Sequence, residues 1–208
     1  MEIFKKVDLF NAVIIGEIAA WVMFFMGKNL ATENAIVADS FSYFKFLPVI
    51  FPILCALGLV LAYYLGKIMP VIFQIAKFVL VGGLNFLIDL GVLNFLVFAT
   101  GVVAGPVQSV FKATSFLAAV VNSYFWNKLW VFKRNTKEKT SQEFFQFFIV
   151  SVIGFAINIG VNYFFVNLVS AFWGIPPKTW TQLSAMFAAI AALFWNFVGY
   201  KFIVFDAK

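Results

Sequence analysis

Apolar residues along this chain gather into long runs, and most charged positions fall between or at the edges of those runs. A helix needs about 20 apolar residues to cross roughly 30 Å of hydrocarbon at about 1.5 Å per residue. Six runs are close to that length: Leu9 to Met26, Phe46 to Leu65, Phe78 to Thr100, Val110 to Phe132, Phe147 to Val169 and Ser184 to Phe205. The pattern predicts an all-α integral membrane protein with six transmembrane helices. The first run follows Lys5 and Lys6 as a secretory leader would, but its length, Glu17 and the lack of a small-residue cleavage site favour a retained helix.

The connections divide the chain further. Residues 1–66 make an N-terminal hairpin, residues 67–77, with Pro70, read as a linker along the inner interface, and residues 78–205 hold the other four helices. Gly105-Pro106 and Gly174-Ile175-Pro176-Pro177 stop helices and form turns. Lys133 to Glu143 is the one strongly polar stretch, read as a solvated loop, with contact to lipid phosphate or a partner as the alternative.

Charge orients the spans. With the N-terminus in the cytoplasm, Lys5, Lys6, Lys67, Lys77, Lys128, Lys133, Arg134, Lys137, Lys139, Lys201 and Lys208 share one side, against Lys28, Lys45, Lys112 and Lys178 on the other. That asymmetry puts both termini in the cytoplasm. Trp130 and Tyr200 then lie at inner helix ends, and Trp173 and Trp180 flank the last outer loop, as interfacial anchors do.

Composition excludes most other classes. The chain has 208 residues, 63% hydrophobic and 12% charged, with 30 Phe, against roughly 45–50% apolar and about 25% charged in soluble domains. The net charge of +6 lies between membrane spans, which argues for orientation rather than nucleic-acid binding. Without His, and with Cys55 alone, the chain offers neither a His-based hydrolase triad nor an ordinary zinc or Fe–S site, so no catalytic or metal residues and no cofactor are expected. No G-x-x-x-x-G-K-[ST] phosphate loop occurs.

The last four spans repeat. Lys77 to Val92 aligns with Gln146 to Val161 at an offset of 69, with Asp89 opposite Asn158, and Tyr124 to Phe132 aligns with Phe197 to Phe205 at an offset of 73. Each unit, about 77–132 and 146–205, holds two spans, so both copies enter from the same side: a parallel repeat of two helical hairpins. The run Phe78-x-x-Val81-Gly82, the run Asn127-Lys128-x-Trp130-Val131-Phe132 and the run Asn196-Phe197-x-x-Tyr200-Lys201-x-x-Val204-Phe205 resemble the GtrA-like family over about Ala76 to Phe205. Lys128 stands where that family commonly has Arg. The resemblance implies a four-helix membrane domain that moves polyprenyl-phosphate-linked sugars, such as undecaprenyl-phosphate glucose, across the cytoplasmic (inner) membrane for cell-surface polysaccharide synthesis or modification. It also implies an alternative, since such helices occur fused to glycosyltransferases: a non-transporting anchor for a polyprenyl-phosphate glycosyltransferase, docked through the basic loop. Export of a small cation or drug through an acidic site is a third reading.

Polar residues inside the spans are the site candidates. An ionised carboxylate at mid-helix costs about 2.5–3.5 kcal/mol, so Asp89 must be paired, protonated or facing a wet cavity. Asn85, one turn away, and Asn158 in the other copy are its expected partners, for helix packing or for a sugar or proton site at the midplane. Glu17 is a second proton-coupling candidate. Asn122, Asn127, Asn158, Asn162 and Asn196 are numerous for lipid-buried helices and serve as interhelical glue or as a polar seam. Lys128 and Lys201 hold equivalent places, each beside aromatics, as snorkelling anchors or as a phosphate clamp with Asn127, Trp130 and Tyr200. Gly82, Gly83, Gly91, Gly154 and Gly160 read as close-packing positions. Expected partners are membrane lipid, a polyprenyl-phosphate sugar, a membrane-bound glycosyltransferase and further copies of the chain.

Overall fold

Most helices in the computed structural model begin well before their apolar runs do. It describes residues 4–31, 41–133, 140–169, 175 and 177–205. Among the described residues there are six long helices: α1 Lys6–Ala31, α2 Leu47–Gly66, α3 Val71–Thr100, α4 Pro106–Trp126, α5 Thr140–Asn167 and α6 Pro177–Gly199. Several start four to seven residues before the hydrophobic stretch, because hydropathy marks the hydrocarbon depth while a helix continues into the interface. One correction follows. Most of the linker expected over 67–77 is helical, since α3 starts at Val71.

Among the described residues, five helices are long and apolar enough to cross a membrane: α1, α2, α3, α5 and α6 with its continuation to Val204. The sixth expected span does not meet that measure. Its helix, α4, carries Gln108, Ser109, Lys112, Thr114, Ser115, Asn122 and Ser123. The turn before α4 is as expected: Gly101 caps α3 at φ 71°, its N–H returning to the Val97 carbonyl at 2.8 Å, and Gly105 at φ 84° leads into Pro106 at the first helical position.

Two compact units divide the chain, Met1–Lys133 and Arg134–Lys208. In the first, α1 packs on α2 and α3, and α3 on α2 and α4, so the N-terminal hairpin shares a unit with the first family-like hairpin. Gly16 makes the α1–α2 approach possible: a Cβ there would sit 2.5 Å from the Cα of Pro52. In the second, α5 and α6 form a hairpin. Gly154 there faces the Asn196 amide, and Gly91 in the first unit faces Val22, as close-packing positions should. Gly82, Gly83 and Gly160 depart from that expectation, since a Cβ on any of them meets nothing within 4 Å. Much of each helix's outer face is large and apolar, Phe86, Phe95, Phe155 and Phe194 among them, which suits lipid as the solvent.

The polar stretch Lys133 to Glu143 lies largely outside the described residues, as do Trp173, Gly174 and Pro176.

Candidate functional site

A buried polar cluster in the first unit has Asp8 at its centre. The carboxylate accepts from Lys77 Nζ at 2.7 Å, from the Trp130 indole Nε1–H at 2.9 Å and from the backbone N–H of Lys5 at 2.9 Å. Asp8 and Lys77 are both fully out of solvent. The Lys5 contact is the reciprocal half of a capping box, satisfying an N–H that the first turn of α1 leaves open. Lys77 lies 4.2 Å from the Phe73 ring centre and 5.7 Å from that of Trp130, so two aromatic faces shelter its charge. A buried ion pair persists only when such extra contacts meet its desolvation cost. Trp130 is therefore not the lipid-facing anchor expected of it; it is 3% exposed and fixed by Asp8.

Both family-like hairpins close in the same unusual way. α4 continues as a π-helical turn over Asn127–Val131, and α6 as one over Tyr200–Val204, 73 residues on. The wider turn is closed by Phe132 N–H to Asn127 O at 2.9 Å and by Phe205 N–H to Tyr200 O at 2.8 Å. Gln74 of α3 donates to the Val131 carbonyl at 3.3 Å, taking up an acceptor at the end of the first turn. Single π-turns inside α-helices occur often at functional positions.

Each turn carries one candidate lysine. Lys128 is buried, its ammonium 3.0 Å from the Tyr124 hydroxyl. Lys201 is more open, lying 5.6 Å from the ring centres of both Phe197 and Phe202. Asn127 donates to Ser123 O at 2.8 Å, while its own Oδ1 is buried and unpartnered among the described residues. Asn196 Oδ1 and Asn162 Oδ1 share that condition. Tyr200 stacks on Phe147 at 4.2 Å and lies 2.6 Å from Ser151 Oγ. Ser151 spends its proton on the Phe147 carbonyl, so the tyrosine hydroxyl is the donor to it.

Farther along α3, Asp89 pairs with Lys112 of α4 and accepts from Ser115 Oγ at 2.6 Å. Both carboxylate oxygens are thus taken within the same hairpin, in place of the expected Asn85 and Asn158. Asn85 instead accepts from Asn122 at 2.6 Å. Lys112, assigned above to the outer side, neutralises Asp89 within the helix pair, with 48% of its side chain exposed against 20% for Asp89. The second hairpin has no counterpart: Asn158, Ala185 and Ala188 stand at the matching positions. Asn158 on α5 and Glu17 on α1 are both half-buried.

Sequence reading overlooked Asp8 and Asn11 and treated Lys77 only as an orienting charge. Asp8 is on α1 one turn before Asn11, and its partner is 69 residues away.

Residues 77–205 match the model of the GtrA/DPMS transmembrane domain. The chain is 32% identical over 133 residues, 63% of its length and 78% of the relative's, to an uncharacterized membrane protein, YngA, of Bacillus subtilis (strain 168). The chain is accordingly a multi-pass membrane protein that contacts lipid, and it belongs to the GtrA/DPMS transmembrane-domain family.

Proposed function

We propose that this protein moves a polyprenyl-phosphate-linked sugar, of the undecaprenyl-phosphate glucose class, across the cytoplasmic membrane for cell-surface polysaccharide synthesis or modification. The observation that carries the reading is the pair of π-turns, each closing its hairpin with a lysine among aromatics, in a chain that matches the family over the same residues.

In this reading the hairpins 77–132 and 146–205 are parallel copies, both termini are cytoplasmic, and α4 is the sixth span. Its Lys112 enters the membrane as half of a neutral pair with Asp89. Lys128 with Asn127, and Lys201 with Tyr200, face phosphate oxygens at headgroup depth. Asn85, Asp89, Asn158 and Asn196 give the polar head a series of amide and carboxylate groups to pass on its way across, each within its own hairpin. The isoprenoid tail stays in lipid, so only the polar head needs a sheltered route. No bond is made or broken. Glu17 and Asp89 are the candidates for coupling to a proton.

The test is binding of a polyprenyl-phosphate sugar, against the unphosphorylated polyprenol, to Lys128→Gln and Lys201→Gln proteins of verified fold. A charge-assisted contact contributes about 1.5–3 kcal/mol, so each loss weakens phosphate binding roughly ten- to a hundredfold. Wild-type preference for the phosphate in both variants would remove these lysines from the headgroup site.

A further inference from the structure

A groove of about 310 Å³ beside the Asp8 cluster is lined by Asn11 of α1 and by Asn122, Phe125, Trp126, Leu129 and Trp130 of α4 and its π-turn. We infer that this groove holds the sugar ring of a lipid-linked monosaccharide, and that the N-terminal hairpin, outside the family-matched residues, completes the site through Asn11. The inference rests on the translocation reading above and adds the place where the sugar is recognised.

The chemistry of the walls is specific. Small-molecule sites run roughly 300–1,000 Å³ and combine apolar walls with a few placed polar groups, so this one has room for a single ring. Trp126 and Trp130 meet at 71° with centroids 5.8 Å apart, forming a corner of one ring face and one ring edge. The Trp130 wall is held in place because Asp8 fixes its indole N–H. Trp126 makes no indole hydrogen bond among the described residues and keeps its N–H for a ligand. Asn122 spends an amide N–H on Asn85 at 2.6 Å and keeps its carbonyl oxygen. Asn11, half-buried, brings a second amide with both donor and acceptor. Aromatic faces with amide donors and acceptors suit a polyol ring, which presents C–H on its faces and hydroxyls at its rim. Phe125 and Leu129, one turn apart and more than half exposed, form an apolar lip along which an isoprenoid tail can lie. That lip favours a lipid-linked sugar over a free one.

The experiment uses the full-length protein in nanodiscs with two probes, a short-chain polyprenyl-phosphate glucose and the same polyprenyl phosphate without the sugar. Wild-type protein is expected to bind the glucose lipid about tenfold more tightly. Asn11→Leu and Trp126→Leu, both compatible with a lipid-exposed helix, should lose most of that preference while binding the sugar-free phosphate as wild type does, and Asn11→Gln should keep part of it. Variants with wild-type melting that retain the full preference would overturn the groove while leaving translocation standing. Equal wild-type binding of the two probes would also overturn the groove. Wild-type protein that binds neither probe would remove the translocation reading itself.

Discussion

Asp8 of α1 and Lys77 of α3 meet at 2.7 Å with neither side chain reaching solvent. The pair ties the N-terminal hairpin to the first family-matched hairpin and sets the Trp130 ring against α1. Lys77→Met should leave an unpaired buried carboxylate and cost about 3–5 kcal/mol. Adding Asp8→Asn to that variant should recover more than half of the loss, because the charge then disappears with its partner. Thermal melts of the purified proteins in detergent check this, and additive losses in the double variant would contradict it.

The Asp89–Lys112 pair predicts a different pattern, since it concerns insertion as well as stability. Asp89→Asn leaves a half-exposed Lys112, in the second turn of α4, without its counter-ion, which weakens the hold of that helix in the membrane. Protease protection of α4 in membranes should fall accordingly. The exchange Asp89→Lys with Lys112→Asp should restore it, whereas a residue serving only as a sugar contact would not be rescued by reversal.

Whether α4 crosses is directly measurable. In a Cys55→Ala background, single cysteines at Val103, before α4, and at Thr136, after it, should react with an impermeant thiol reagent from opposite faces of intact cells. Labelling of both from one face would leave α4 as a surface helix and reduce the chain to five spans.

These particulars also mark how far the sequence alone reached. Each of the long apolar runs falls on a helix, and for five of them the helix is apolar enough to cross a membrane; the polar positions of α4 leave its crossing open to sequence and hydropathy alike. The repeat is visible as recurring Phe, Val, Gly and Lys positions, and the π-turns fall in one of its two aligned segments, yet nothing in Asn127–Val131 or Tyr200–Val204 distinguishes a π-turn from one more turn of α-helix. Asp89 is legible as a residue that needs a partner; its partner is not, since Lys112, near the outer end of its apolar run, counts in the sequence only as an outer-side charge. Asp8 was passed over because an acid in a first helical turn is ordinary. The available signal was one of opposite charges, Asp8 and Lys77, each at the edge of an apolar run on the same side.

Translocation is movement of the lipid-linked head from one leaflet to the other. Proteoliposomes carrying a fluorescent polyprenyl-phosphate glucose, challenged with an impermeant quencher, report the fraction of lipid in the outer leaflet over time. Wild-type protein should carry the inner-leaflet pool outward to the quencher, and Lys201→Gln should slow that by roughly tenfold, in line with the loss of a charge-assisted contact. Lipid that binds the protein yet stays in its leaflet at the rate of protein-free vesicles would contradict translocation and leave the anchor for a glycosyltransferase in its place.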